Sequence, residues 1–350
     1  MKIPQHQYIE RGTRRVMTER LYGDRIISYL YNSDREQSPA LFKALTSAHM
    51  SDLLSMVNYE LPTLSRLAGA HRFVERLGID LSECLEPVER LNTAKKIFER
   101  QIRYWKARPM PADPDGILSP ADGRVLVGSL ADTSQIFLKE KFFNLDELIG
   151  LDRSLWLQEF RGGDFAVFRL TPDKYHYNHV PVSGRVLELY EIPGCYHPAN
   201  PSAVVTVATP YSKNKRVVTI IDTDVVGGTG IGLVAMIEIV ALMIGDIVQC
   251  YSRKRYDRPQ FVVQGMFLEK GCPKSLYRPG SSTDVLVFQK NRVRFCDDII
   301  ANMRHQGAYS RYSQGFGAQL VETDVQVRSL IGRAIAGGNG DSEKGGRHDA

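Results

Sequence analysis

The chain has 350 residues, 43% hydrophobic and 24% charged, enough for a sizeable core in one large domain or two modest ones. Its net charge of +5 is scattered among acids rather than gathered into a stripe, which argues against a nucleic-acid protein. Five cysteines, Cys84, Cys195, Cys250, Cys272 and Cys296, occur without a CxxC pair, so neither a disulfide framework nor a thiolate zinc site is indicated, and a reducing cytosol fits best.

The first residues, Met1-Lys2 and a polar run to Arg11, do not read as a signal peptide. Arg11, Arg14, Arg15, Arg20 and Arg25 form a basic cluster that suits an anionic membrane surface or a solvated helix face equally well. Apolar residues recur at three- and four-residue intervals over Tyr22–Tyr31, Leu41–Val57, Leu64–Leu77 and Ala94–Trp105, which predicts helices. The amphipathic faces of these helices, with the Met- and Leu-bearing stretch from His49 to Val57, suit either a membrane interface or packing against the rest of the protein. Pro109, Pro111 and Pro114 then end helical structure.

From Gly116 the pattern changes to short β-prone runs between turn residues: Arg124–Val127, Phe165–Leu170, Arg185–Leu189, Ala203–Val207, Val217–Ile221, Phe261–Phe267 and Val285–Phe288. The longest apolar stretch, Ile231–Ile247, is interrupted by Glu238 and Asp246 and reads as one or two buried strands rather than a membrane span. The expectation is an α+β protein: a helical N-terminal region over 1–110, an antiparallel β-rich domain over 111–335, and a Gly- and charge-rich tail over 336–350 too poor in apolar residues to order itself.

Three segments carry candidate chemistry. Ser119-Pro120-Ala121-Asp122-Gly123-Arg124 places an aspartate in a tight turn, alone an ordinary structural feature. Asp173-Lys174-Tyr175-His176-Tyr177-Asn178-His179 holds two histidines three apart, as an acid–base pair, as metal ligands or in a structural role; a third ligand is not evident. Gly280-Ser281-Ser282-Thr283 feeds Asp284-Val285-Leu286-Val287-Phe288, alone a hairpin turn entering a strand.

Together, and in this order, the segments resemble the pyruvoyl-dependent, self-processing phosphatidylserine decarboxylase family. Ser119–Val125 is similar to its Ser-Pro-x-Asp-Gly-Arg-Val, and Phe168–Gly184 to its Arg-Leu-x-Pro-x-Asp-Tyr-His-x-x-His-x-Pro-x-x-Gly. Pro193-Gly194 with Pro198-Ala199-Asn200-Pro201, and Lys270-Gly271 ten residues before the Ser-Ser-Thr turn, match further segments. The resemblance implies that Ser282, deprotonated by His179 with Asp122 holding the imidazole tautomer, attacks the Ser281 carbonyl. It implies a β chain of residues 1–281 and an α chain of 282–350, the latter capped by a pyruvoyl group made from Ser282. That ketone would hold the substrate amine and accept electrons as CO2 leaves, with His176 tied to the decarboxylation step and no metal required. It further implies phosphatidylserine as substrate, a homodimer, and a peripheral position on the cytoplasmic face of the cell membrane.

Two departures stand out. Ser281 occupies a position where the family usually has glycine, which leaves Ser281 as a second choice of cleavage serine; the register from Lys270-Gly271 favours Ser282. Cys272-Pro273-Lys274-Ser275 replaces acidic and glycine residues, and Asp284 an apolar one, so a free amino acid remains an alternative substrate, and a non-processing lipid-binding relative a third reading.

Overall fold

The computed structural model describes residues 5–21, 74–75, 77–131, 142–207, 209–241, 246–280 and 282–335. Tyr22–Tyr31, Leu41–Val57, nearly all of Leu64–Leu77, the tail over 336–350 and Ser281 itself lie outside them. No helix among the described residues is long and apolar enough to cross a membrane.

Strand-forming sequence dominates what is described. In chain order the strands are β1 (Gln7–Glu10), β2 (Arg15–Thr18), β3 (Gly116–Leu118), β4 (Gly123–Ser129), β5 (Asp164–Leu170) and β6 (Tyr177–His179). There follow β7 (Gly184–Ile192), β8 (Arg216–Asp222), β9 (Leu233–Val240), β10 (Ile247–Gln249) and β11 (Phe267–Leu268). The last are β12 (Pro273–Tyr277), β13 (Ser282–Phe288), β14 (Val293–Phe295), β15 (Glu322–Val325) and β16 (Leu330–Ala334). Ten form one sheet in the order β11-β7-β8-β9-β13-β5-β4-β15-β1-β2, antiparallel except for the parallel pair β1–β15. Two three-stranded sheets, β10-β12-β6 and β14-β16-β3, complete the fold.

The β-rich half of the expectation is therefore met, with corrections. The N-terminus opens in a strand hairpin, not a helix: Gln7–Glu10 adds to the C-terminal strand β15. His6, Arg124, Arg169, Glu19 and Glu322 form a buried ionic cluster beneath this joint, with Arg169 bridging both carboxylates at 2.7 and 2.5 Å. Three potential ligand atoms of His6, Glu19 and Glu322 lie within 4.8 Å of one another, but the guanidinium groups already occupy the carboxylates.

The helix expected over Ala94–Trp105 is two short ones, Ala94–Phe98 and Tyr104–Ala107, separated where Ile102 bridges to Cys84. Of the run Ala203–Val207, all but the last residue is helical rather than extended. Asn200 caps Pro201–Thr206 by accepting from the Ser202 amide, and proline at the first turn outweighs the β-preference of two valines. Phe261–Phe267 is mostly loop, pairing only at Phe267–Leu268.

β13 lies near the middle of the large sheet, laddered along its whole length to β5 on one side and β9 on the other. All seven residues are buried, which suits a β-branched and aromatic run between two partners. The strand that begins at Ser282 is thus among the most constrained in the molecule.

Candidate active site

The first two motif segments, distant in sequence, meet at His179, and the third is tied to the second through Tyr277, whose N–H donates to the His176 carbonyl at 3.1 Å and whose hydroxyl donates to Asp284 at 2.8 Å. The His179 backbone N–H donates to the Pro120 carbonyl at 2.7 Å, joining the second segment to the first. Its Nδ1 lies 2.9 Å from the Gly271 carbonyl oxygen. That oxygen can only accept, so Nδ1 carries the proton and Nε2 keeps the lone pair. Gly271 adopts φ 78, and a Cβ there would stand 2.5 Å from Met110 Sδ; only glycine presents its carbonyl this way without a clash. The preceding Lys270 donates to the carbonyls of Asp113, Pro114 and Gly116 at 2.5, 2.6 and 3.2 Å, pinning the loop that leads to the Asp122 turn.

The acceptor nitrogen is occupied as well. The Tyr175 hydroxyl, 3.0 Å from His179 Nε2, donates to that lone pair and accepts from the Tyr256 hydroxyl 2.8 Å away, whose oxygen accepts from the Ile102 N–H at 3.2 Å. Tyr104 packs edge-on against the imidazole. Burial pulls the His179 pKa down to about 3, opposed by the Gly271 hydrogen bond, so the ring is neutral at physiological pH.

Asp122 does not hydrogen-bond to His179. Its carboxylate takes Arg108 Nε at 3.0 Å, Arg108 Nη2 at 2.8 Å and the Val327 N–H at 2.8 Å. Burial alone would raise its pKa, but the Arg108 charge and hydrogen bonds overrule it and hold the carboxylate below its ordinary value. Its influence on His179 is through space: the Asp122 charge favours the imidazolium, while Arg328 and Arg108 oppose it.

His176 is fully buried and stacked on Phe98 with ring centroids 3.6 Å apart, and neither ring nitrogen has a hydrogen-bond partner among the described residues. Burial, and next the Arg100 charge, hold its pKa well below 6.5. Its carbonyl accepts from the Tyr277 N–H at 3.1 Å, which ties it to the segment leading into the Gly280 turn. Gly280 has φ 152, outside the range comfortable for a side chain. Ser282 follows as the first residue of β13, its Oγ buried and likewise without a hydrogen-bond partner among the described residues.

The two parts of the second departure, Lys274-Ser275 and Asp284, prove to be neighbours. Glu238, on β9, faces Asp284 directly across the ladder. Its carboxylate takes Lys274 Nζ at 2.6 Å, the Gln249 amide at 3.0 Å, the Asn178 amide at 3.2 Å and the Ser275 hydroxyl. Burial and then the Glu238 charge raise the Asp284 pKa well above 3.8, and Tyr277 Oη donates to Asp284 Oδ1 at 2.8 Å. Lys274, Ser275 and Asp284 therefore belong to one buried polar cluster, two residues along the strand from Ser282. Tyr175, Tyr256, Arg108 and Glu238 are not site candidates from sequence; Tyr175 inside the histidine motif and Glu238 inside an apolar run each carry a signal that could have found them.

The structure thus holds a neutral histidine between two hydrogen-bond partners and, at the head of β13 after a glycine turn, a buried serine. Residues 94–317 match the family model described as "Phosphatidylserine decarboxylase". Among curated relatives, the "Phosphatidylserine decarboxylase proenzyme" of Fusobacterium nucleatum is 30% identical over 87% of this chain and 95% of its own length. The protein of the same description from Ruminiclostridium cellulolyticum is 29% identical over 94% and 98% respectively, and that from Bordetella petrii 32% over 65% and 79%. The chain belongs to the phosphatidylserine decarboxylase family.

Proposed function

We propose that the chain is a proenzyme that cuts itself between Ser281 and Ser282, and that the mature protein converts phosphatidylserine to phosphatidylethanolamine and CO2. Beside family membership, the observation that supports this reading is the buried Ser282 Oγ, two residues after the positive-φ Gly280 and, like the His176 ring nitrogens, without a hydrogen-bond partner among the described residues. More than nine in ten buried polar groups in proteins are paired, and unpaired ones held in place cost stability that a functional site repays.

In this mechanism Ser282 Oγ attacks the Ser281 carbonyl carbon while its proton moves to the His179 relay, whose acceptor is Nε2. Tyr175 stands at that nitrogen, so its hydroxyl belongs to the relay, passing the proton on while Tyr256 holds it in line. The C–N bond of the Ser281–Ser282 peptide breaks in an N-to-O acyl shift, leaving an ester. Loss of the Ser282 α-proton then expels residues 1–281 as a carboxylate. The dehydroalanine left at 282 takes up water and releases ammonia, giving a pyruvoyl group. The residues present fit such a group, since Ser282 heads a buried strand that fixes its position. When formed it supplies the electron sink for decarboxylation. In this reading His176, whose buried ring is neutral in the precursor, has to take up a proton before it can deliver one to the substrate carbon. In this reading the enzyme works as a peripheral protein on the cytoplasmic face of the membrane.

Denaturing mass spectrometry of the purified protein tests the first half: the 39.4 kDa precursor should give two chains, the smaller beginning at position 282 with a blocked N-terminus. Ser282→Ala should remain a single species. An intact wild-type precursor after prolonged incubation refutes self-processing. An assay with phosphatidylserine and free amino acids side by side tests the second half, and turnover of a free amino acid alone refutes the lipid substrate.

A further inference from the structure

An enzyme that acts on a phospholipid has to meet a bilayer, and one exposed loop is built for it. Between β10 and β11 the chain runs Arg253-Lys254-Arg255-Tyr256-Asp257-Arg258, four cations against one carboxylate, and then Pro259-Gln260-Phe261-Val262-Val263. Phe261 is 75% exposed and Val263 54%, while Val262 between them is buried and anchors the stretch. Arg253 shares its charge with Glu269, and Arg255 lies over the Trp105 ring at 3.9 Å. Lys254 and Arg258 have no ion-pair partner among the described residues. The loop encloses an open cleft of about 580 Å³ lined by Arg253, Lys254 and Arg258, with Asp257 as its single acid.

The same loop is fastened from beneath. Tyr256 turns inward to Tyr175 and Ile102, so the loop roofs the His179 relay. The β8–β9 loop reaches the same end of the sheet: Val226 at its tip is wholly exposed, and a Cβ on the next residue, Gly227, would lie 3.6 Å from the Phe267 ring. Of the N-terminal arginines, Arg11 is committed to Asp298. Exposed apolar side chains beside unpaired cations complement a surface of acyl chains beneath anionic headgroups.

We propose that the Arg253–Val263 loop is the surface by which the protein docks on an anionic phospholipid bilayer, Lys254 and Arg258 meeting headgroup phosphates and Phe261 and Val263 entering the interface. This rests on the lipid-substrate reading and adds where the lipid is met. Docking there brings the bilayer to the roof of the self-processing site.

The test is co-sedimentation of the full-length, self-cleaved protein with vesicles of phosphatidylcholine alone or mixed with phosphatidylglycerol, an anionic lipid that is not the substrate. Each cation near such a surface strengthens binding about fivefold, so Lys254→Gln with Arg258→Gln should weaken binding to the mixed vesicles by about 25-fold at low salt. Raising the salt to about 0.5 M should bring wild type close to that level. Phe261→Ser with Val263→Ser should remove binding that survives salt. Both variants should still cut themselves and act on detergent-dispersed phosphatidylserine like wild type. Unchanged vesicle binding in both variants overturns the proposal, as does equal wild-type binding to vesicles of phosphatidylcholine alone. A parallel loss of self-cleavage or detergent activity also overturns it, because the loop would then serve the site itself. If vesicle binding falls as expected but wild type fails to turn over dispersed phosphatidylserine, the docking surface stands and the substrate reading falls.

Discussion

Replacing Asp122 by asparagine separates two roles that family resemblance merges. A carboxylate that orients a catalytic imidazole costs activity when lost, with little effect on stability. In this structure the Asp122 carboxylate is instead the main partner of a buried guanidinium: Arg108 is 8% exposed and Asp122 4%. The amide introduced by Asp122→Asn could still accept from the Val327 N–H and from one Arg108 N–H, but the charge would be gone. Arg108 would keep only the Glu83 carboxylate at 2.9 Å, which is partly exposed. Breaking a buried pair by removing one partner costs about 3–5 kcal/mol, and the retained Glu83 contact places the expectation near about 3 kcal/mol. Urea unfolding, measured in a Ser282→Ala background so that every protein is a single chain, gives the number. Arg108→Leu added to Asp122→Asn removes the stranded charge and should recover most of the loss, with a coupling energy well above about 1 kcal/mol in the double-mutant cycle. Asp122 has a depressed pKa, so its contribution is complete above pH 3.8 and fades as pH falls below that. If Asp122→Asn loses less than about 1 kcal/mol and the otherwise wild-type variant fails to cut, the carboxylate acts on His179 directly and the argument from Arg108 is wrong.

His179→Ala should stay uncut, whereas His176→Ala should cut and then turn over poorly; mass spectrometry and a CO2-release assay separate the two. Burial keeps His179 neutral down to about pH 3, so the self-cleavage rate should show no inflection near pH 6.5, and a half-maximum there would contradict the burial argument. The same shift means stability falls by about 1.4 kcal/mol per pH unit as pH drops from 6.5 towards 3, because only the unfolded chain binds that proton. Tyr175→Phe removes the hydroxyl at Nε2. A hydrogen bond to a charged group is worth about 1.5–3 kcal/mol, so cleavage should slow by about ten- to a hundredfold, and faster cleavage would show that the hydroxyl obstructs the base. Asp284→Val should stabilise the precursor. The raised Asp284 pKa contributes stability below pH 3.8 that is lost as pH rises to the folded value, so the variant's advantage grows by about 1.4 kcal/mol per unit across that window. Parallel pH–stability curves for variant and wild type would rule this out.

Much of this protein could be read from its residues alone. The runs at Phe165–Leu170, Val217–Ile221 and Val285–Phe288 are strands because β-branched and aromatic side chains pack well on a pleated surface buried on both faces, a local preference visible in one dimension. The helical cap at Asn200-Pro201 was also written locally, but it competes with the β-preference of Val204 and Val205, and the capping bond decided it. The order of the three motif segments carried the family. What the sequence could not show is which atoms meet. Asp122 and Arg108 are fourteen residues apart, Glu238 and Lys274 thirty-six, and His179 and Gly271 ninety-two. Those pairings come from strand register and from how the loop at 113–116 is pinned. The tertiary structure therefore gave Asp122 to an arginine, His179 to a tyrosine pair and a glycine carbonyl, and gathered the unusual Lys274, Ser275 and Asp284 around one buried carboxylate. The physical reason is that burial makes every polar atom find a partner or stand out for lacking one, and only the folded chain determines which partners are within reach.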